Sequence, residues 1–366
     1  MSIISQEQLN HCQRLLFMSP VALGDFLYLK TFLIALKQQN PHIELDIWLD
    51  DNRCNTDAWR LSRSKILQQW IEAEPAFNRS FGCTDSVAHQ TTQIAQAKQY
   101  QYDVIICHSG SKSQQFSALA RQISPNALIV SSIAKAPFKG LLNKIIFRHS
   151  DNLYQLDANR LAQDHHITDR FYTILHDIAG LTLSKPDFMP ALRIDETYCS
   201  NTQQWLIKAF GQQSGKIILI NYLSTNTKRD WSEEQVIELI ELILQHRPDG
   251  RVVLNVTKEQ YSRACELVAS SLAAQQSNVA VFTVQDHFFE LPAMIAAADL
   301  VITVETAIMH FATAAHTPLI ALMRAKKPYW APPTSDMAQV LYASEGKGYV
   351  SDISVKNVYE TYISMI

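Results

Sequence analysis

Three places in this 366-residue chain join an apolar run to a helix-period run through residues able to handle protons or phosphates. In "LLFMSPVALGDFLYLK" the joint is Gly24-Asp25. Glycine permits a tight turn or the close approach of a ligand. A carboxylate where a helix starts is either a general base or a cap favoured by the helix dipole. In "NYLSTNTKRDWSEEQVIELI", Ser224, Thr225, Asn226 and Thr227 precede Lys228 and Arg229. Hydroxyls, loop amides and cations beyond a strand suit a diphosphate, or else form a solvated loop with a surface Lys-Arg pair. In "ADLVITVETAIMHFATAAHTPLIALM", Glu305 can accept hydrogen bonds from sugar hydroxyls and Thr306 suits a helix N-cap. Ala307, Ala312, Ala314 and Ala315 let that helix pack closely, or let a ligand reach its N-terminus. His310 is either a ligand contact or a satisfied helix histidine. The chain has no GxGxxG, P-loop, HExxH or GxSxG motif, and a metal site is disfavoured.

These joints need elements to hold them. Apolar runs alternate with helix-period segments, the pattern of parallel sheets covered by helices. "RLLFMS", "IELDIWL", "YDVIICHS" and "ALIVSS" read as strands of the first half, with Leu29, Phe32, Leu33 and Leu36 on one helix face and a helix from about Ser113. "KIILINY", "RVVLNV", "VAVFTV", "DLVITV" and "PLIALM" read as strands of the second. Val236, Leu239, Ile240 and Ile243 share a helix face, and Ser232 with Gln235 has capping-box spacing. "LTLSKPDFMPALRID" has two prolines and little periodicity, as a linker would. The reading is two doubly wound Rossmann-like α/β domains facing a central cleft, with ligands at the carboxyl ends of the strands.

Composition narrows the function classes. At 47% hydrophobic residues each half can bury a core, and no run is long and apolar enough for a bilayer span. The N-terminus lacks a basic start followed by a clean apolar stretch, so a cytoplasmic protein is expected. Six scattered cysteines form no CxxC pair and read as reduced thiols. A net charge of -3 gives no global attraction to nucleic acid. One local basic stretch stands out, Lys135, Lys139, Lys144 and Arg148, with no acidic residue between them.

The order of these joints resembles glycosyltransferase family 9, the bacterial lipopolysaccharide heptosyltransferases of GT-B fold. Ser19, Gly24 and Asp25 followed by "IALKQQNPHIELDIWL" are similar to its first segment. "QYDVIICHSGSKSQQFSALAR" resembles its Tyr-Asp segment with a Lys-Ser helix start, and "HITDRFYTILHDIAGL" the close of its first domain. "TKRDWSEEQVIELI" resembles its Lys-Arg-x-Trp stretch. "ETAIMH" resembles its Asp-Thr-Gly-x-x-His signature, with Glu305 in place of Asp and Ala307 in place of Gly. Both replacements narrow the space where a nucleotide or phosphate would approach the backbone.

The resemblance implies an acceptor-binding domain over residues 1–185, a linker at 186–195 and a nucleotide-sugar-binding domain over 196–345. The segment 346–366 is expected to pack back on the N-terminal domain. The implied reaction is inverting, metal-independent transfer of a heptose from ADP-heptose to a hydroxyl of the lipopolysaccharide inner core, with no cofactor. Asp25 would be the base and Lys228 the cation for the leaving diphosphate, with Arg229 as fallback. Ser224, Thr225, Thr227, Glu305, Thr306, Ala307 and His310 would contact the donor. Gly24, Lys112, Ser113, Lys139 and Lys144 would contact an anionic glycolipid acceptor, and the Lys135–Arg148 stretch its phosphates or the inner membrane face. A different nucleotide-sugar donor, a weakened nucleotide-sugar-binding homologue and an epimerase acting without acceptor remain as alternatives.

Overall fold

The computed structural model describes every residue except Met1, Asp51, Gln213, Gln276, Lys327 and Thr334. The chain divides into two compact units, 1–189 and 190–366. The first runs through α1 (Gln6–His11), β1 (Arg14–Ser19), α2 (Leu23–Gln39), β2 (Glu44–Leu49), α3 (Ala58–Glu72) and β3 (Arg79–Gly82). It continues with α4 (Val87–Lys98), β4 (Val104–Gly110), α5 (Ser113–Ile123), β5 (Leu128–Ile133), α6 (Asn143–Ile146), β6 (Asn152–Gln155) and α7 (Ile167–Ala179). The second holds α8 (Glu196–Phe210), β7 (Ile217–Asn221), α9 (Glu233–His246), β8 (Arg251–Asn255), α10 (Tyr261–Ser271) and β9 (Val279–Phe282). It closes with α11 (Glu290–Ala297), β10 (Leu300–Val304), α12 (Ala307–Ala314), β11 (Leu319–Arg324), β12 (Ala338–Ala343) and α13 (Val355–Met365).

Each unit carries one six-stranded sheet, ordered β3-β2-β1-β4-β5-β6 and β12-β11-β10-β7-β8-β9, with every pair parallel. Counted within its unit, the second order is the first read backwards, so both are doubly wound. In each, the strand order reverses between the first and fourth strands, β1/β4 and β7/β10. Such a reversal opens a crevice at the carboxyl ends, where helix N-termini and loop amides converge. All nine strands expected from apolar runs are present. β3, β6 and β12 were not expected, and all three are edge strands. An edge strand has one paired side and a partly wet face. "RSFG" and "NLYQ" therefore need no continuous apolar run, and the middle of "AQVLYA" is only partly covered.

The central strands read as uninterrupted apolar runs because helices cover both their faces. Leu15–Met18, Ile217–Ile220 and Leu300–Ile302 are all buried. One buried charge stands among them. Asp46 on β2 accepts from the Tyr102 hydroxyl at 2.6 Å and from Arg79 at 3.1 Å, while Arg79 also reaches Glu44 at 2.8 Å and stacks on Tyr100. Burial pushes the Asp46 carboxyl up, and the bonds from Tyr102 and Arg79 oppose it.

The segment expected to pack back on the first domain is fastened to the second unit. Val355, Val358 and Tyr362 of α13 join the core formed by α9 and its sheet. The Trp231 indole donates to the Ile353 carbonyl at 2.9 Å, and the Gln235 amide to those of Ser351 and Ile353 at 3.1 Å. The reason is that two donors at the start of α9 find their acceptors there.

Candidate active site

At the first switch point, β1 ends in Ser19, which is fully buried and donates to the His108 carbonyl at 2.6 Å. α2 then begins without a side-chain cap, its N-cap being Ala22. Gly24 and Asp25 are the second and third residues of α2. Gly24 is therefore helical and makes no tight turn. Asp25 is half-buried in the first turn, three residues beyond the cap, where the helix dipole favours a carboxylate.

Further polar residues at this edge come from β4 and β5. The His108 ring packs edge-on against Phe171 and its Nδ1 meets the Ser132 hydroxyl at 2.9 Å. Burial lowers its pKa to about 4, so the imidazole is neutral at neutral pH. Sequence reasoning passed over His108; the signal was a polar "HSGS" closing an apolar strand. Lys112 occupies the N-cap position of α5 and is half-buried. Ser113 corrects an expectation. Its side chain is buried and its hydroxyl lies 2.6 Å from the carbonyls of both Gly110 and Ser132. Its one proton goes to either carbonyl, which ties the start of α5 to the end of β4 or to β5 and takes up the hydroxyl. Lys139 and Lys144 are exposed on the segment after β5, apart from the β1/β4 crevice.

At the second switch point the loop after β7 is closed on itself. The Asp230 carboxylate accepts from the Ser224 amide and hydroxyl, both at 2.7 Å, and the Trp231 amide returns to Tyr222 at 2.9 Å. Ser224, expected at the donor, thus has its hydroxyl engaged with Asp230 and Asn226. The closed loop leaves Thr225, Thr227 and Lys228 exposed. The expected capping box forms behind it, with Ser232 Oγ accepting from Gln235 N and Gln235 Oε1 from Ser232 N.

Beneath the loop lies a belt of buried amides and hydroxyls at the ends of three adjacent strands. Asn255 donates to Asn221 at 2.9 Å, and Asn221 donates to Thr303 at 3.1 Å and to the Leu223 carbonyl at 3.2 Å. Thr303 contacts Thr306 at 3.3 Å, and Thr306 caps α12 by accepting from Ile308 N. Ala307 is the first residue of that helix, beside its amides.

Above the belt the charges gather. Glu305 Oε1 lies 3.6 Å from Arg229 Nε, and its Oε2 accepts from the Arg324 amide at 3.3 Å. Arg324 ends β11 and donates from Nε to the Gly348 carbonyl at 2.8 Å. Gly348 has φ +65°, a left-handed conformation that suits glycine and carries the next residue, Tyr349, into the cluster. Lys228 Nζ and the Arg324 guanidinium each lie 5.8 Å from the Tyr349 ring centroid. Lys228, Arg229 and Arg324 thus share this end of the sheet with the carboxylates of Glu305, Asp230 and Asp352, the last accepting from the Tyr349 amide at 2.9 Å. Cations at a parallel-sheet switch point suit an anionic ligand with several oxygens. Arg324 and Tyr349 were not anticipated. Arg324 directly follows the apolar run "PLIALM", a signal that was there to be read, whereas Tyr349 comes from a distant glycine-flanked loop.

His310, expected to contact the donor, is buried in α12 with its ring 6.0 Å from Trp330. The helix is covered on nearly every side, Ile308 to Ala312 alike, and His310 with it. Among the described residues, no group of three or more His, Cys, Asp or Glu is gathered for a metal ion.

The family model described as glycosyltransferase family 9 (heptosyltransferase) matches residues 94–356. Among solved structures, the ADP-heptose lipopolysaccharide heptosyltransferase II of E. coli is similar at TM-score 0.72 and 18% identity, over 96% of this chain and 98% of that one. A glycosyltransferase family 9 protein from Veillonella parvula gives 0.73 and 18%, over 96% and 97%. E. coli heptosyltransferase WaaC with ADP gives 0.67 and 16%, over 96% and 100%. No curated protein sequence matches the chain.

Proposed function

We propose, on the premise that this chain belongs to glycosyltransferase family 9 and has the GT-B fold, that it moves a heptose from ADP-heptose to a hydroxyl of the lipopolysaccharide inner core. The observation that carries the donor half is the Lys228–Arg229–Arg324 cluster at the second switch point. A departing diphosphate gains negative charge, and cations already in place stabilise it without reorganising at the moment of reaction. Lys228 is exposed and so reaches the departing oxygens, with Thr225, Thr227 and the amides after Thr306 as further donors. Arg229 and Arg324 flank the diphosphate, and Glu305 orients the sugar or the two arginines. Two solved relatives name ADP or ADP-heptose in their descriptions, which supports adenosine as the nucleoside.

Asp25 is the general base in this reading. Attack of the acceptor oxygen on the anomeric carbon, opposite the leaving diphosphate, inverts the centre, and the carboxylate takes the hydroxyl proton. The cluster supplies the positive charge, so the proposed chemistry needs no metal. The test is transfer from ADP-heptose to a heptose-free lipopolysaccharide precursor, followed by mass increase of the acceptor. Transfer in the wild type and its loss in Asp25→Asn supports the reading. ADP-heptose left unconsumed by the wild type overturns it.

A second reading rests on Glu305 and Ala307. The longer carboxylate spans from Arg229 to the β11 backbone, and the extra methyl stands at the first residue of α12. A donor with another sugar or nucleoside fits that altered floor. Thermal shifts with a panel of UDP-, GDP- and ADP-sugars separate the two, because ligand at 100 times its dissociation constant adds about 2.7 kcal/mol.

A further inference from the structure

We propose that residues 135–148 of the first unit form a docking surface for an anionic lipid bilayer. After β5 the chain leaves the sheet through three successive left-handed residues, Phe138 (φ 49°), Lys139 (φ 53°) and Gly140 (φ 89°). The turn and the short α6 hold four large apolar side chains in water: Phe138 is 69% exposed, Leu141 87%, Leu142 38% and Ile145 67%. Single exposed apolar residues are ordinary, but four within eight positions form a patch that calls for a partner.

The base of the segment is built. The Ala136 amide donates to Gln155 at 3.2 Å, Phe147 is buried, and Arg121 donates to the His149 carbonyl and to Asp151. A fixed base lets the tip dock with little further ordering. The charge pattern selects the occupant. Lys135, Lys139, Lys144 and Arg148 are all exposed and interleave with the apolar residues, and no acidic residue intervenes. A second copy of the segment would set four cations against four cations. A bilayer of anionic lipid accepts both halves of the pattern, the apolar side chains at the acyl boundary and the cations among phosphates.

The experiment is flotation of the full chain with vesicles of phosphatidylcholine alone or containing phosphatidylglycerol. The wild type is expected to float with the anionic vesicles only, and less at high salt. Phe138→Ser/Leu141→Ser/Ile145→Ser removes three apolar anchors and is expected to weaken binding at least ~100-fold. Lys139→Glu/Lys144→Glu is expected to weaken it at least ~10-fold. Unchanged melting temperatures establish that both variants fold. No flotation of the wild type overturns the proposal, as does equal flotation of the variants. Concentration-dependent dimerisation of the wild type, abolished in the apolar variant, overturns it in favour of a second copy. A thermal shift with ADP reports separately on the second unit, so failure there leaves the membrane result standing.

Discussion

The carboxyl edges of the two sheets share a strand order and differ in what stands on them. Both rest on a buried neutral polar belt: Ser19, Ser113 and Ser132 in the first unit, Asn255, Asn221 and Thr303 in the second. The first edge carries a carboxylate, Asp25 in the first turn of α2, and a neutral imidazole, His108 on β4. On the second stand Lys228, Arg229 and Arg324 together with the carboxylates of Glu305 and Asp230. A shared topology therefore provides two crevices, and the residues just past the strands decide what each can hold. The first suits removal of a proton, and the second suits a polyanion.

The sharpest way to break this contrast is at its acidic end. Asp25→Asn is expected to cut turnover ~10²–10⁴-fold while ADP affinity stays unchanged, as steady-state rates and calorimetry would show. Loss of ADP binding in that variant would blur the two roles. Next in size, Lys228→Ala should lose roughly 10²–10³ in turnover, by analogy with removal of a charge-stabilising donor.

The belts can be tested apart from the ligands. Asn221→Ala removes the residue that joins Asn255 to Thr303 and leaves both short of a partner, at a cost of about 1–3 kcal/mol in urea unfolding. A cost near zero would mean that water replaces the amide and the belt is not a structural floor. The smallest effect distinguishes the first edge by pH. His108 has a pKa of about 4 when folded, below the ordinary histidine value of about 6.5. Between these values the unfolded chain binds the extra proton, so stability is full above pH ~6.5 and falls as pH drops towards ~4. His108→Gln should flatten that window by about 1–2 kcal/mol. An unaltered acid limb would place His108 in a wetter setting than its packing on Phe171 suggests.

How much of this could be read from the chain depends on burial. Interior strands such as "KIILINY" announce themselves because both faces are covered, while the edge strands "RSFG" and "NLYQ", partly wet, carry too few apolar residues to stand out. Glu305 stood out because a charge directly after a fully apolar strand has few structural reasons to be there, and Lys228 and Arg229 because they close a run of hydroxyl and amide side chains beyond another. Nothing in the sequence marked Asp230; that it staples Ser224 depends on loop closure. Ser113 has the right residue type in the right segment, yet nearby backbone carbonyls take up its hydroxyl. Tyr349 could not be found from spacing, since nothing local indicates that its loop returns to β11. The belt of Asn221 and Asn255 left a faint trace, an asparagine ending each of two apolar strands.

The account rests most heavily on the second edge as the seat of a nucleoside diphosphate. Calorimetric titration of ADP into the wild type, into Lys228→Ala/Arg324→Ala and into Asp25→Asn tests it directly. The expected result is one site in the wild type, affinity at least ~10-fold weaker in the double variant, and wild-type affinity in Asp25→Asn. ADP binding undiminished by loss of both cations would contradict it.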